Sequence, residues 1–162
     1  MIGGGKASAA ALSHHVELVK GSARVVKRLF PGIRKLYLVG ASIRGKVGTD
    51  IDFVAEMPTE TKPDQVINIP LLIKVPRRKR RIGVEVDVFF ASPESVKATV
   101  LHYGLGKDII RWKKIARSKG YKLNRRGLWK GKKRITGSVV RIAKMLGTDL
   151  KPFILATLGN PL

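Results

Sequence analysis

The stretch "YLVGASIRGKVGTDIDFVAE", residues 37–56, sets Asp50 and Asp52 inside an apolar run directly after a small, Gly-rich, basic turn. No other feature restricts the folding of this chain as much. A lone carboxylate is expensive to remove from water unless a cation or a metal meets it, so a fold that uses this run as a strand must supply a partner. Residues two apart share one face of a strand. Asp50 and Asp52 therefore point the same way, while Ile51, Phe53 and Val54 supply apolar packing. Two hard oxygen donors on one face suit magnesium, with manganese able to substitute. The plainer reading, a hairpin turn with a solvated aspartate pair, stays open on this stretch alone.

A third aspartate has the same setting: Asp87 lies within "VEVDVFF". Glu85 shares its face by the two-residue period and either joins as a fourth carboxylate or pairs with an arginine of "PRRKRR". Three converging carboxylates can hold two magnesium ions on the order of 4 Å apart, the arrangement of in-line nucleotidyl transfer. Between the first two strands, "GASIRGKVGT" offers small residues whose N–H groups can approach phosphate, a Ser42 hydroxyl, and the cations Arg44 and Lys46. It lacks the Gly-Lys-Ser/Thr ending of a Walker A loop. Alone such a turn is weak, since glycines more often just make turns; beside Asp50, Asp52 and Asp87 it gains weight.

Charge narrows the partner. The 162 residues carry 33 Lys+Arg against 11 Asp+Glu, a formal net charge of +22, the electrostatic footprint of a phosphate-rich partner. Nucleic acid leads. A membrane surface competes, but no apolar run has bilayer length and no signal peptide is visible, so the expectation is a soluble intracellular monomer, in cytoplasm, nucleus or virion and not secreted. With Cys 0, disulfides and cysteine-ligated zinc are excluded, and His14, His15 and His102 are too dispersed for a histidine site. Any catalytic metal is carboxylate-bound.

Periodicity predicts an opening helix over 7–30, on Leu12, Val16, Val19, Ala23, Val26 and Phe30, interrupted by Gly21 and ended by Pro31-Gly32. Strands follow at "KLYLVG", "IDFVAE", "QVINIPLLIKVP" and "IGVEVDVFFA". The fold class expected is α+β, a mixed or antiparallel sheet flanked by helices over 1–91, with a small helix-and-hairpin subdomain over 92–162. The second part reads as a helix capped by Ser92 with Pro93 in its first turn, a short helix closed by Gly120, a hairpin in "YKLNRRGLWKGKKRI", and a final helix closed by Gly147. Residues 107–144 hold fifteen Lys or Arg against one acidic residue, Asp108. Tyr103 and Trp112 are more often core than base-stacking residues at such spacings, and Trp129 reads as a packing plug. "PRRKRR" is equally a solvated turn or a clamp for backbone phosphate.

Gly40, Ser42, the Asp50-Ile51-Asp52 triplet about ten residues on, and Asp87 on a later strand together resemble the nucleotidyltransferase superfamily. More narrowly the chain is similar to family X DNA polymerases of the minimal viral type, palm followed by thumb without an amino-terminal lyase domain. "HYG" at 102–104, "ARSKGYKLNRRGLWKG" and "AKMLGTDLKPF" extend the similarity from about Ala23 to Phe153. The family's Gly-Ser with two arginines is here Gly40-Ala41-Ser42 with the single Arg44. The resemblance implies Asp50, Asp52 and Asp87 as catalytic metal ligands. It implies nucleotide binding by Gly40, Ala41, Ser42, Arg44, His102, Tyr103 and Gly104, and DNA binding by Lys113, Lys122, Arg125 and Arg126. Lys113 stands where the family has a template-contacting arginine, and His102, read alone, is a surface histidine at a helix end. The implied activity is template-directed DNA polymerase, adding deoxynucleotides from dNTPs to a primer in gapped or primer–template duplex, a DNA-repair reaction. The alternatives are a tailing enzyme or other nucleotidyltransferase, and a ribosomal-type RNA-binding protein, which leaves the three aspartates unexplained.

Overall fold

The computed structural model describes residues 9–58, 66–75 and 81–162; most of the basic run "PRRKRR", residues 76–80, lies outside them. Helix α1 (Ala9–Leu29) leads into a four-stranded sheet: β1 (Lys35–Val39), β2 (Asp50–Glu56), β3 (Val66–Lys74) and β4 (Arg81–Ala91). The spatial order is β1-β2-β4-β3. The outer pairs are antiparallel and the central pair, β2 with β4, is parallel, so the sheet is mixed. The α+β class and the flanking helices agree with the sequence reading.

Alternation explains both faces. Leu36, Ile51, Phe53, Val86 and Val88 point to one side and form a dry core with Leu18, Val19, Ala23 and Val26 of α1. Val16, placed by periodicity on the inner stripe, is exposed, and Leu18 takes the buried position. Helix α1 is also continuous through Gly21, where an interruption was expected. A Cβ at residue 21 would stand 2.5 Å from Ile73 Cγ2, so this glycine brings the helix axis against β3 rather than breaking it.

The opposite face is covered by α2 (Val96–Gly104), whose Val96 and Val100 pack on Tyr37, Val39, Val54 and Ala91. This helix starts later than the Ser92-Pro93 signature suggests. The carbonyl of Ser92 first closes a turn by accepting from the N–H groups of Ser95 and Val96, at 3.0 and 2.9 Å. The other side of α2, with Ala98 and Leu101, joins a second core around Trp112, Leu128, Ile142 and Ile154. Thus α2 serves both halves of the chain.

Beyond it come α3 (Asp108–Ser118), β5 (Lys122–Asn124), β6 (Gly127–Lys130), β7 (Lys133–Thr136), α4 (Val139–Leu146) and α5 (Pro152–Gly159). The expected hairpin is a three-stranded antiparallel meander, β5-β6-β7. Nor is α4 the final helix. The apolar α5 follows it, sets Ile154 into the second core and Leu158 against the first layer, and Leu162 N–H donates to Leu36 O on edge strand β1 at 2.7 Å. Among the described residues no helix is long and apolar enough to cross a membrane.

Candidate active site

Asp50, Asp52, Glu85 and Asp87 occupy the face of the sheet opposite α1, beyond the residues that α2 covers. The parallel register sets Asp50 opposite Glu85 and Asp52 opposite Asp87. Glu85 N–H donates to Thr49 O at 2.8 Å, which carries the ladder to the start of β2. The period-two reading therefore holds: the three aspartates and Glu85 share one face. Their setting is more open than an apolar run implies. Asp50 and Glu85 are exposed and Asp52 and Asp87 half-buried, because the apolar neighbours Ile51, Phe53, Val86 and Val88 all turn toward α1.

Asp52 is the centre of this cluster. Burial, then the charge of Asp87, a side-chain hydrogen bond with Asp87 and the charge of Asp50 push its pKa up to about 6, with Arg44 acting in the opposite sense. The 3-10 turn Gly40–Arg44 closes directly over it. Gly40 has φ +74, and a Cβ there would collide with the Asp52 carboxylate, so both the turn and the carboxylate require glycine. Ala41 and Ser42 continue the turn, and Arg44 anchors it by donating from Nη1 to Gly104 O at 2.9 Å.

Two participants have no counterpart in the sequence reading. Asn68 of β3, opposite Asp87, donates from Nδ2 to Asp87 Oδ1 at 2.7 Å. The period-two rule could have found it only with the β3–β4 register known. His15 of α1 places Nε2 3.0 Å from Ser42 Oγ, across 27 residues of chain, and burial holds its pKa below the usual histidine range. No local pattern announces that contact.

The donor chemistry fits a hard divalent cation. Two carboxylates pressed together, one with a raised pKa, form a pair short of positive charge, and their oxygens are the ligand type magnesium takes. Among the described residues, however, no three His, Asp or Glu side chains are gathered closely enough to form a metal-holding group. Asp52 and Asp87 face one another, while Asp50 and Glu85 stand at the exposed rim.

The remaining predicted residues divide sharply. Gly104 is buried where a Cβ would strike Ile154 and Ile43, so it contributes packing and a carbonyl for Arg44. Tyr103 stacks on Phe89, with ring centroids 3.8 Å apart, and Arg125 lies over its ring. His102 is partly buried rather than a surface histidine, and burial, with Lys113 and Arg125 adding, lowers its pKa to about 4. Arg125 is only 9% exposed; its guanidinium donates to Phe90 O and its carbonyl accepts from Thr99 Oγ1. That position ties the meander to the sheet and to α2. Lys113 and Lys122 instead border a surface groove with Arg117, Tyr121 and Asn124. Arg126 lines a second groove with Lys122, Trp129 and Lys132. Arg111 pairs with Asp108 on α3, and with 33 Lys+Arg against 11 Asp+Glu most of the positive charge has no carboxylate to pair with. No protein-family model matches the chain, and comparison with curated proteins finds no match.

Proposed function

We propose that this chain is a metal-dependent nucleotidyltransferase acting on nucleic acid, and within that class a template-directed DNA polymerase of family X type. The observation that carries the reading is Asp52 held opposite Asp87 on adjacent parallel strands, with the glycine turn at 40–44 folded onto it. A purely RNA-binding role gives no reason for two facing carboxylates in a chain of net charge +22. Asp52 and Asp87 would hold magnesium or manganese, and Asp50, at the exposed rim, would turn inward to join them as the third ligand. A bound metal would supply Lewis-acid charge to the attacking 3′ hydroxyl and to the triphosphate.

The chain's own residues supply binding and orientation. The small turn residues Gly40 and Ala41 and the Ser42 hydroxyl meet triphosphate oxygens, and His15 fixes where that hydroxyl sits. Arg44, held through Nη1, keeps its remaining N–H groups for phosphate. His102, Tyr103 and Gly104 form the wall beside the nucleotide, with Gly104 contributing through Arg44. Lys113, Lys122 and Arg126 border the DNA track, whereas Arg125 acts as a strut within it.

Primer extension on gapped DNA, with and without template and comparing dNTPs with rNTPs, tests this. Asp52→Asn and Asp87→Ala abolish transfer. Near-normal turnover by Asp87→Ala would end the metal-site reading, and template-independent addition by the wild type would select the tailing enzyme. Arg44→Ala weakens triphosphate binding by about 1.5–3 kcal/mol, the range of a charge-assisted contact, and leaves DNA affinity nearly unchanged.

A further inference from the structure

Trp129 was expected to plug the meander, and it does not. Strand β6 turns Leu128 inward, fully buried in the second core, and so turns Trp129 to the outer face. There the indole is partly exposed and lines a groove with Lys122, Asn124, Arg126, Gly131 and Lys132. Its cross-strand partners are Lys122 on β5, which lines the same groove, and Arg134 on β7, whose guanidinium instead reaches Glu94 O and Ser95 Oγ. The ring is also fixed. Asn124 Oδ1 accepts from Trp129 Nε1 at 3.0 Å and from Arg126 N at 2.9 Å, which ties the indole to the β5–β6 turn. A tryptophan is a costly residue to leave on a surface, and an indole immobilised at its polar edge offers its ring to whatever occupies the groove.

We propose that Trp129 is a stacking platform for an unpaired nucleobase, and that the groove around it binds single-stranded DNA, with Lys122 and Lys132 meeting the flanking phosphates. Bases in a duplex already have both faces covered by neighbours, so a lone indole selects a base outside a helix. The surplus of cations makes the occupant anionic, and the ring makes it flat. This subsite adds to the polymerase reading a place for the unpaired strand next to a primer end. It stands or falls independently of the chemistry at Asp52.

The test uses the full chain and its own fluorescence. Of the two tryptophans, Trp112 is fully buried, so quenching by a bound base reports Trp129. Titration with an oligothymidylate of about ten nucleotides quenches the wild type and Trp112→Phe alike. Trp129→Leu abolishes the quenching and weakens oligothymidylate binding about tenfold, while affinity for a blunt duplex at the same salt changes less than twofold. Trp129→Phe, which keeps an aromatic face, recovers most of the single-strand affinity, and this separates stacking from loss of folding. Unchanged oligothymidylate affinity in Trp129→Leu overturns the proposal, as does an equal loss on duplex. Asp52→Asn keeps the quenching whether or not it transfers nucleotide, so failure of the enzyme reading leaves this result distinct.

Discussion

Asp52 and His102 show what one side chain's surroundings do to pH dependence, with opposite sign. The Asp52 pKa rises from 3.8 in the unfolded chain to about 6 in the folded one. Below 3.8 the group is protonated in both states. As pH climbs through 6 the folded state must carry a charge that burial and Asp87 disfavour, so metal-free protein loses stability across that window. Part of the group is exposed, and solvent screening reduces the effect to about 1 kcal/mol. Asp52→Asn therefore raises the melting temperature at pH 8 by about 2–4 °C, with the gain vanishing at pH 4, even as it ends transfer. His102 runs the other way. Its folded pKa of about 4 lies below the ordinary 6.5, so its neutral form stabilises the fold above 6.5 and that contribution is lost as pH falls toward 4. His102→Gln flattens the acid limb. Denaturant midpoints at pH 4, 6 and 8 read both variants, and parallel curves for wild type and variants would refute the assignments.

Elements are legible in this sequence where period and pairing coincide. The four long strands come from apolar runs bounded by Gly, Pro and Thr, and the shared face of Asp50 and Asp52 comes from the period of two. The partnership of β2 with β4 does not. Strands separated by another strand in sequence pair in parallel only because β3 folds to the outside, which no local pattern states. Strand β7, "KRIT", is too short and basic to show alternation, and α5, "PFILATLG", is apolar all round, so neither had a readable signal. Gly21 was misread for the same reason: helix propensity is local, whereas contact with Ile73 is tertiary. Gly21→Ala separates the two. Propensity alone predicts a gain of about 1 kcal/mol, but the clash with Ile73 Cγ2 adds about 1–3 kcal/mol of overpacking, so the net change is destabilising. Ile73→Leu, which removes that branch, restores much of the loss, and a double-mutant cycle with no coupling would show the helix and β3 to be less closely apposed.

At the scale of the whole molecule, the division of charge is the organising fact. Carboxylates gather on one open patch of the first sheet, while fifteen cations fall between residues 107 and 144. Composition leads to the expectation of a polyanionic partner but does not say which cations are exposed to meet one, because that depends on which side of each strand is buried. Lys122 and Lys132 are exposed beside the Trp129 groove, whereas Arg125 is enclosed between Phe90 O and the Tyr103 ring. The two kinds of arginine and lysine must then fail differently. Each single-strand phosphate neutralised contributes about −0.7 to the slope of log affinity against log salt. Lys122→Ala with Lys132→Ala flattens that slope by one to two units, about equally for every sequence, and leaves the melting temperature nearly unchanged. Arg125→Ala leaves the slope within about half a unit but lowers stability by about 2 kcal/mol, since it removes a buried charge-assisted hydrogen bond and the packing over Tyr103. Salt titrations and thermal melts on the same three proteins discriminate: a flattened slope without lost stability in Arg125→Ala would put that guanidinium on DNA, and an unchanged slope in the lysine pair would move the track away from the meander.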